Sequence, residues 1–256
     1  MRGQNSTDES RISPMPLRLS SYLIALAMLL IFTSARADAI DSRRRVLLCA
    51  DVAMGLDCTN VFDSPPSAAD PDDAWALAWA LNHPGWDVVG VVVSFGNCAC
   101  ETPSTSCDAP APEPGQVPCE ILDRKVEITR WVVEACGRET PVHRGASRRF
   151  AVDGPAPDGT LEALESVLAD PEPVTIIGIG PATDPAYLVR DLAMLGRLDR
   201  VERLVLEMGQ IGPWAGRAGF LINGKPVSDY NFRGDPDAAR WLFEATDELP
   251  ETTLVP

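Results

Sequence analysis

The sequence predicts an α/β fold: a mostly parallel sheet with helices on both faces, in a Rossmann-like three-layer arrangement. Short apolar runs without polar alternation and helical-period segments lying between them carry this expectation. Residues 46–50, Val-Leu-Leu-Cys-Ala, form the first run, as expected of a central strand covered on both faces. Residues 51–71 are rich in Asp, Ser and Pro and read as a loop. Asp72-Asp73 then head Ala-Trp-Ala-Leu-Ala-Trp-Ala-Leu, apolar nearly all round, which predicts a buried helix ending before His83-Pro84. Residues 88–93 are the next strand, running into Phe95-Gly96-Asn97.

Further along, Ile121, Leu122, Val126, Thr129, Val132, Val133 and Cys136 recur at helical spacing, and Gly137 supplies a stop. Residues 141–145 are a brief extended piece, and Leu161, Leu164, Val167 and Leu168 line one face of another helix. Strands are expected over 174–179 and 204–208, and helices over 185–195 and 235–245. The last of these has an acidic start that suits the positive end of its dipole. In a sheet of this kind ligands bind beyond the carboxyl ends of the strands. The chemistry is therefore sought among residues 51–73, at Asn97, at Gly180-Pro181-Ala182-Thr183 and after Met208.

The chain of 256 residues is 45% hydrophobic, enough for a substantial core. Its first 37 residues read as a secretory signal peptide. Arg2, Arg11 and Arg18 precede an apolar run over 22–32, and Ala35-Arg36-Ala37 has the form of a cleavage site. A run this short spans a bilayer poorly, so stable membrane insertion is not expected after cleavage; a signal anchor is the alternative. The domain is assigned to residues 38–256, and the location is secreted or extracytoplasmic. The whole chain carries −15, and residues 1–37 hold four Arg against Asp8 and Glu9, which leaves −17 on the remainder. Such a field repels phosphate backbones and argues against nucleic-acid binding. Of seven Cys, Cys98, Cys100, Cys107 and Cys119 crowd into a Pro-rich insertion, 98–119, that buries little by itself. In an exported chain this predicts disulfides, with a zinc knuckle as the rival. Cys49 reads as a buried thiol.

Asp51, Asp57, Asp70, Asp72 and Asp73 fall within 23 residues between one strand and one helix. Acidic residues cap helix N-termini, which is the plain reading of Asp72-Asp73. Carboxylates massed at a strand's end repel one another unless a cation or a polyol relieves them, which is the functional one. Asp51-Val-Ala-Met-Gly55 followed by Asp72-Asp73-Ala-Trp-Ala-Leu77 resembles the DxDxGxDDAxAL signature of inosine/uridine-preferring nucleoside hydrolases, split here by an insertion around Cys58. Val91-Val-Val-Ser-Phe-Gly-Asn97 resembles that family's strand ending in Gly-Asn, and Gly180-Pro-Ala-Thr-Asp184 its GPLTN turn. Asn223-Gly-Lys-Pro-Val-Ser-Asp-Tyr-Asn231 with Asp235-Pro-Asp-Ala-Ala239 resembles its GNxTPxxEFN…DPxAA block, and Met208-Gly209 stands at its Met-Gly-Gly.

The resemblance implies a hydrolase, a glycosidase of the purine-nucleosidase type, that cleaves the N-glycosidic bond of ribonucleosides with Ca²⁺-activated water. It implies Asp51, Asp73 and the Ile179 carbonyl as metal ligands and Asp51 and Asp72 as catalytic groups. Asp72, Asn97, Met208, Asn223, Asp229 and Asn231 would meet the sugar. The small-molecule partner is a nucleoside, and a homo-oligomer is left open. Three departures accompany it. Ala53 stands at the second Asp of DxD when aligned back from Gly55, so Asp51 serves only with a shifted gap. Asp229 replaces a Glu. The family's His-Asp pair would fall beyond Pro256, so the chain reads as C-terminally incomplete. A non-catalytic secreted relative that binds a nucleoside or sugar is the second reading.

Overall fold

The computed structural model describes residues 43–54, 56–58, 67–68, 71–96, 120–208, 220–222, 225–227, 230–244 and 251–255. The expected leader 1–37, the insertion 98–119 with its four Cys, and Asp70, Asn97, Asn223 and Asp229 lie outside these residues. Every element below belongs to one compact unit, Arg44–Pro256.

Strand β1 (Arg44–Ala50) leads through a small antiparallel pair, β2 (Asp57–Cys58) and β3 (Ser67–Ala68), to helix α1 (Asp72–Asn82). Then come β4 (Trp86–Val93), α2 (Glu120–Ala135), β5 (Val142–Arg144), α3 (Asp158–Ala169), β6 (Val174–Gly178) and α4 (Thr183–Met194). A 3₁₀ turn (Leu198–Arg200) precedes β7 (Val201–Glu207). The hairpin strands β8 (Phe220–Ile222) and β9 (Lys225–Val227) pair on either side of residues 223–224. Helices α5 (Tyr230–Gly234) and α6 (Pro236–Glu244) and strand β10 (Glu251–Val255) follow.

Six strands form one parallel sheet in the order β10-β7-β6-β1-β4-β5. Leu48, Ala50 and Val52 face α1 and α2 with Val91, Val93, Leu77, Leu122 and Val126. Leu47 and Cys49, next to them in sequence, face α3, α4 and α6 with Ile176, Leu188, Leu204 and Leu242. That double burial is why residues 46–50 of β1 read as uninterrupted apolar sequence. The α/β expectation holds, and Gly137 ends the α2 segment with φ 65°, the left-handed conformation that costs glycine least.

Three details differ from the sequence reading. Helix α1 is not buried all round: Trp75 and Trp79 are 69% and 58% exposed, while Ala74, Leu77, Ala80 and Leu81 face the sheet. Small alanines suffice against the sheet, so the bulky tryptophans are left outside. On α3 the inward face is Thr160, Ala163, Leu164 and Val167, and Leu161 points outward. Helix α5 and edge strand β10 had no periodicity to announce them; β10 gains its backbone partners from β7. His143 lies in β5 and is buried, its Nδ1 3.3 Å from Glu162.

Candidate functional site

The chain runs from β1 to β4 and β5 on one side, then returns to build β6, β7 and β10 on the other. The order reverses between β1 and β6, and a crevice at such a reversal is where parallel α/β sheets hold ligands. Asp51 follows β1 there, and Ile179-Gly180-Pro181 follow β6. The Ile179 N–H donates to the Cys49 carbonyl at 2.9 Å, which ties the two strand ends together.

Asp51 is 3% exposed and Asp73, in the first turn of α1, is 6% exposed. The two side chains share a hydrogen bond across 21 intervening positions. Burial pushes Asp73 up to about 11, the Asp51 charge and hydrogen bond adding to it, with a smaller push from Asp72 and an opposing pull from Lys125. The two carboxyls therefore resist ionising together, and the hydrogen bond between them carries one shared proton. The other Asp51 oxygen, Oδ2, is buried without a hydrogen-bond partner among the described residues. Backbone lies directly against it: a Cβ on Gly96 would collide with Oδ2 and with Pro181, and one on Gly180 would sit 3.1 Å from Asp51 Cγ.

Ala53, where the resembling signature has its second Asp, is buried with Leu56 against Ile121 and Ile128 and does not join the pair. Asp72 is exposed at the helix start, and its Oδ1 accepts the N–H of its neighbour Asp73 at 2.8 Å. Asn231 on α5 donates through Nδ2 to the carbonyls of Ile179 (2.9 Å) and Glu207 (3.0 Å), joining the ends of β6 and β7. Met208 is buried in the core just after β7. Among the described residues no group of three His, Cys, Asp or Glu side chains is placed to hold a metal. What stands at the switch point is two carboxylates and a backbone carbonyl. This all-oxygen set, with one buried oxygen unpaired, suits a hard cation that fills its remaining positions with water or sugar hydroxyls.

Lys125 went unnoticed in the sequence. It lies fully buried on α2, and its Nζ donates to the carbonyls of Phe95 (2.8 Å) and Gly96. Its position, three after Leu122 and four before Thr129, places it within the apolar stripe, and that was the available signal.

Two other buried carboxylates serve the framework. Asp184 accepts from Thr160 Oγ1 (2.6 Å) and from the Ala146 N–H (3.0 Å). Asp235 accepts from the Phe150 N–H and Thr183 Oγ1 (both 2.6 Å) and caps α6 through Ala238 N–H (3.0 Å). Burial raises Asp184 to about 6 against those hydrogen bonds. A carboxyl raised on folding stabilises fully below its unfolded value of about 3.8, and that contribution is lost as pH climbs through 6. The gap is worth about 3 kcal/mol. Asn is the residue of the resembling turn at this position. Asp184→Asn keeps an acceptor and drops the charge. Urea unfolding from pH 4 to 7 is expected to show wild type losing stability relative to Asp184→Asn as pH rises; parallel curves would remove Asp184 as the cause.

No protein-family model matches the chain. It is 28% identical over 196 residues to the pyrimidine-specific ribonucleoside hydrolase RihA of Salmonella newport (strain SL254), covering 72% of this chain and 56% of that protein. It is 28% identical over 187 residues to the protein of the same name from Escherichia coli (strain SMS-3-5 / SECEC), covering 68% and 54%. The chain spans about half the length of the curated relatives it matches. Among solved structures, the effector protein XOO4466 aligns with TM-score 0.52 at 19% identity, over 87% of this chain and 59% of that one. The purine-preferring ribonucleoside hydrolase from Gardnerella vaginalis aligns with TM-score 0.50 at 17% identity, over 82% and 60%. At these identities the structural likeness speaks for the fold.

Proposed function

We propose that the chain is a nucleoside hydrolase and that it serves to hydrolyse the N-glycosidic bond of ribonucleosides, releasing base and ribose, as its similarity to the ribonucleoside hydrolases supports. The observation that carries this reading is the buried Asp51–Asp73 pair at the switch point of the sheet, with Asp51 Oδ2 unpartnered among the described residues. The names of the relatives and the motif segments in register support it.

In this reading Asp51, Asp73 and the Ile179 carbonyl would hold Ca²⁺. A bound Ca²⁺ would orient ribose hydroxyls and make a coordinated water more acidic. Asp51 Oδ2 is the acceptor for the proton of the attacking water. Asp72, exposed at the start of α1, meets a ribose hydroxyl. Asn231 offers its Oδ1 to the sugar while its Nδ2 keeps two strand ends in register. The resemblance would add Asn97, Met208, Asn223 and Asp229 to the sugar contacts. Loss of the base develops positive charge at the anomeric carbon, which surrounding carboxylate and amide oxygens stabilise.

The test is ribose release from uridine, cytidine and inosine by the purified protein. Release is expected in Ca²⁺ and not in EDTA. No ribose from any of the three at saturating Ca²⁺ would sink the proposal, and the same panel reads the base preference.

A further inference from the structure

Lys125 is 0% exposed. An ammonium taken wholly out of water is costly unless its charge is answered nearby. The Lys125 Nζ is fixed by the carbonyls of Phe95 and Gly96, just beyond β4, and its charge acts on Asp73. Gly96 in turn abuts Asp51 Oδ2 so closely that no side chain fits between them. One buried cation is thus clamped to the same turn that walls the carboxylate pair.

We propose that Lys125 is a built-in counter-cation for Asp51 and Asp73, a positioning residue that holds the pair together without a metal and weakens the site for a divalent ion. The inference rests on the reading above that this pair holds the cation. Its physics is simple: a divalent ion approaching Asp73 meets a positive charge that cannot move away. At the effective dielectric of a protein site such a charge changes affinity on the order of tenfold or more. A purely structural lysine predicts the opposite sign, because loosening the Phe95–Gly96 turn would misplace Asp51 and weaken binding.

Thermal unfolding in EDTA and across a Ca²⁺ series separates the two, using wild type, Lys125→Met, and Lys125→Met combined with Asp73→Ala. Lys125→Met is expected to melt lower than wild type in EDTA, yet to reach half its maximal Ca²⁺ stabilisation at a Ca²⁺ concentration about tenfold lower. The double variant is expected to show no Ca²⁺ response, which locates the gain at this pair. Lys125→Arg, which keeps the charge, is expected to respond as wild type does. A half-maximal concentration in Lys125→Met equal to or above that of wild type overturns the proposal alone. No Ca²⁺ response in either protein overturns both it and the cation reading beneath it. Should Lys125→Met not fold, Lys125→Gln, which drops the charge but keeps an N–H donor, is judged by the same outcomes.

Discussion

Replacing Asp73 by Ala is expected to abolish Ca²⁺-dependent stabilisation and to lower kcat/KM for nucleoside hydrolysis by about a thousandfold or more. Under the proposed function Asp73 is half of the carboxylate pair that holds the ion. Charge stabilisation by a metal is worth several kcal/mol, and each 1.4 kcal/mol is tenfold in rate. Stability in EDTA is expected to hold or rise, because Asp73 is a buried carboxyl raised to about 11. Its folded-state contribution is complete below the ordinary carboxylate range and is lost as pH rises toward 11, so at neutral pH it is already a liability that Ala removes. The same proton must leave before a cation binds, so the Ca²⁺ stabilisation of wild type is expected to grow between pH 6 and pH 8. Melting curves with and without Ca²⁺, beside steady-state kinetics, check each part. Identical Ca²⁺ responses in wild type and Asp73→Ala would remove the metal site.

Asp235→Ala is expected to cost about 3 kcal/mol of folding stability, the largest purely structural effect. Asp235 is buried and accepts from Phe150 N–H, Thr183 Oγ1 and Ala238 N–H, so it joins the 145–150 segment, the start of α4 and the start of α6. Truncation leaves three donors without their acceptor, at about 1–3 kcal/mol each, and removes a helix cap worth about 1 kcal/mol. Relief of the buried charge, which burial holds above its ordinary range, offsets part of this. For a domain of this size the loss is about 6–12 °C in Tm. Asp235→Asn, which keeps acceptor oxygen for the cap, is expected to lose roughly half as much. A Tm within 2 °C of wild type for the Ala variant would show that water replaces the carboxylate, and the network would lose its structural role.

Sequence alone determined the layers and the edge at which to look. The apolar runs of β1 and β6 declare themselves because burial on both faces favours apolar side chains at nearly every position, a constraint local enough to read residue by residue. The same is true of Gly137, where the chain must turn left-handed, and of Asp235-Pro236, where an acceptor and a fixed φ open α6. Because ligands meet such sheets at the carboxyl ends of strands, the stretch from Asp51 to Asp73 is legible as a place for a site, while Ile179 as a ligand comes only from the family resemblance. What the tertiary structure alone decided is how distant groups answer one another. Helix α1 turns Trp75 and Trp79 outward, a choice its nearly uniform apolar sequence leaves open. Asp51 rather than Ala53 faces Asp73, because Ala53 packs with Leu56 against Ile121 and Ile128 while Asp51 follows directly on β1 at the crevice. Lys125 reads from sequence as a polar interruption of an apolar stripe, and only packing aims its ammonium inward at Phe95 and Gly96. A charge can sit in a core only where partners from other elements offset its desolvation, and those partners, β4's final turn and the Asp51–Asp73 pair, lie 29 to 74 positions away in the chain.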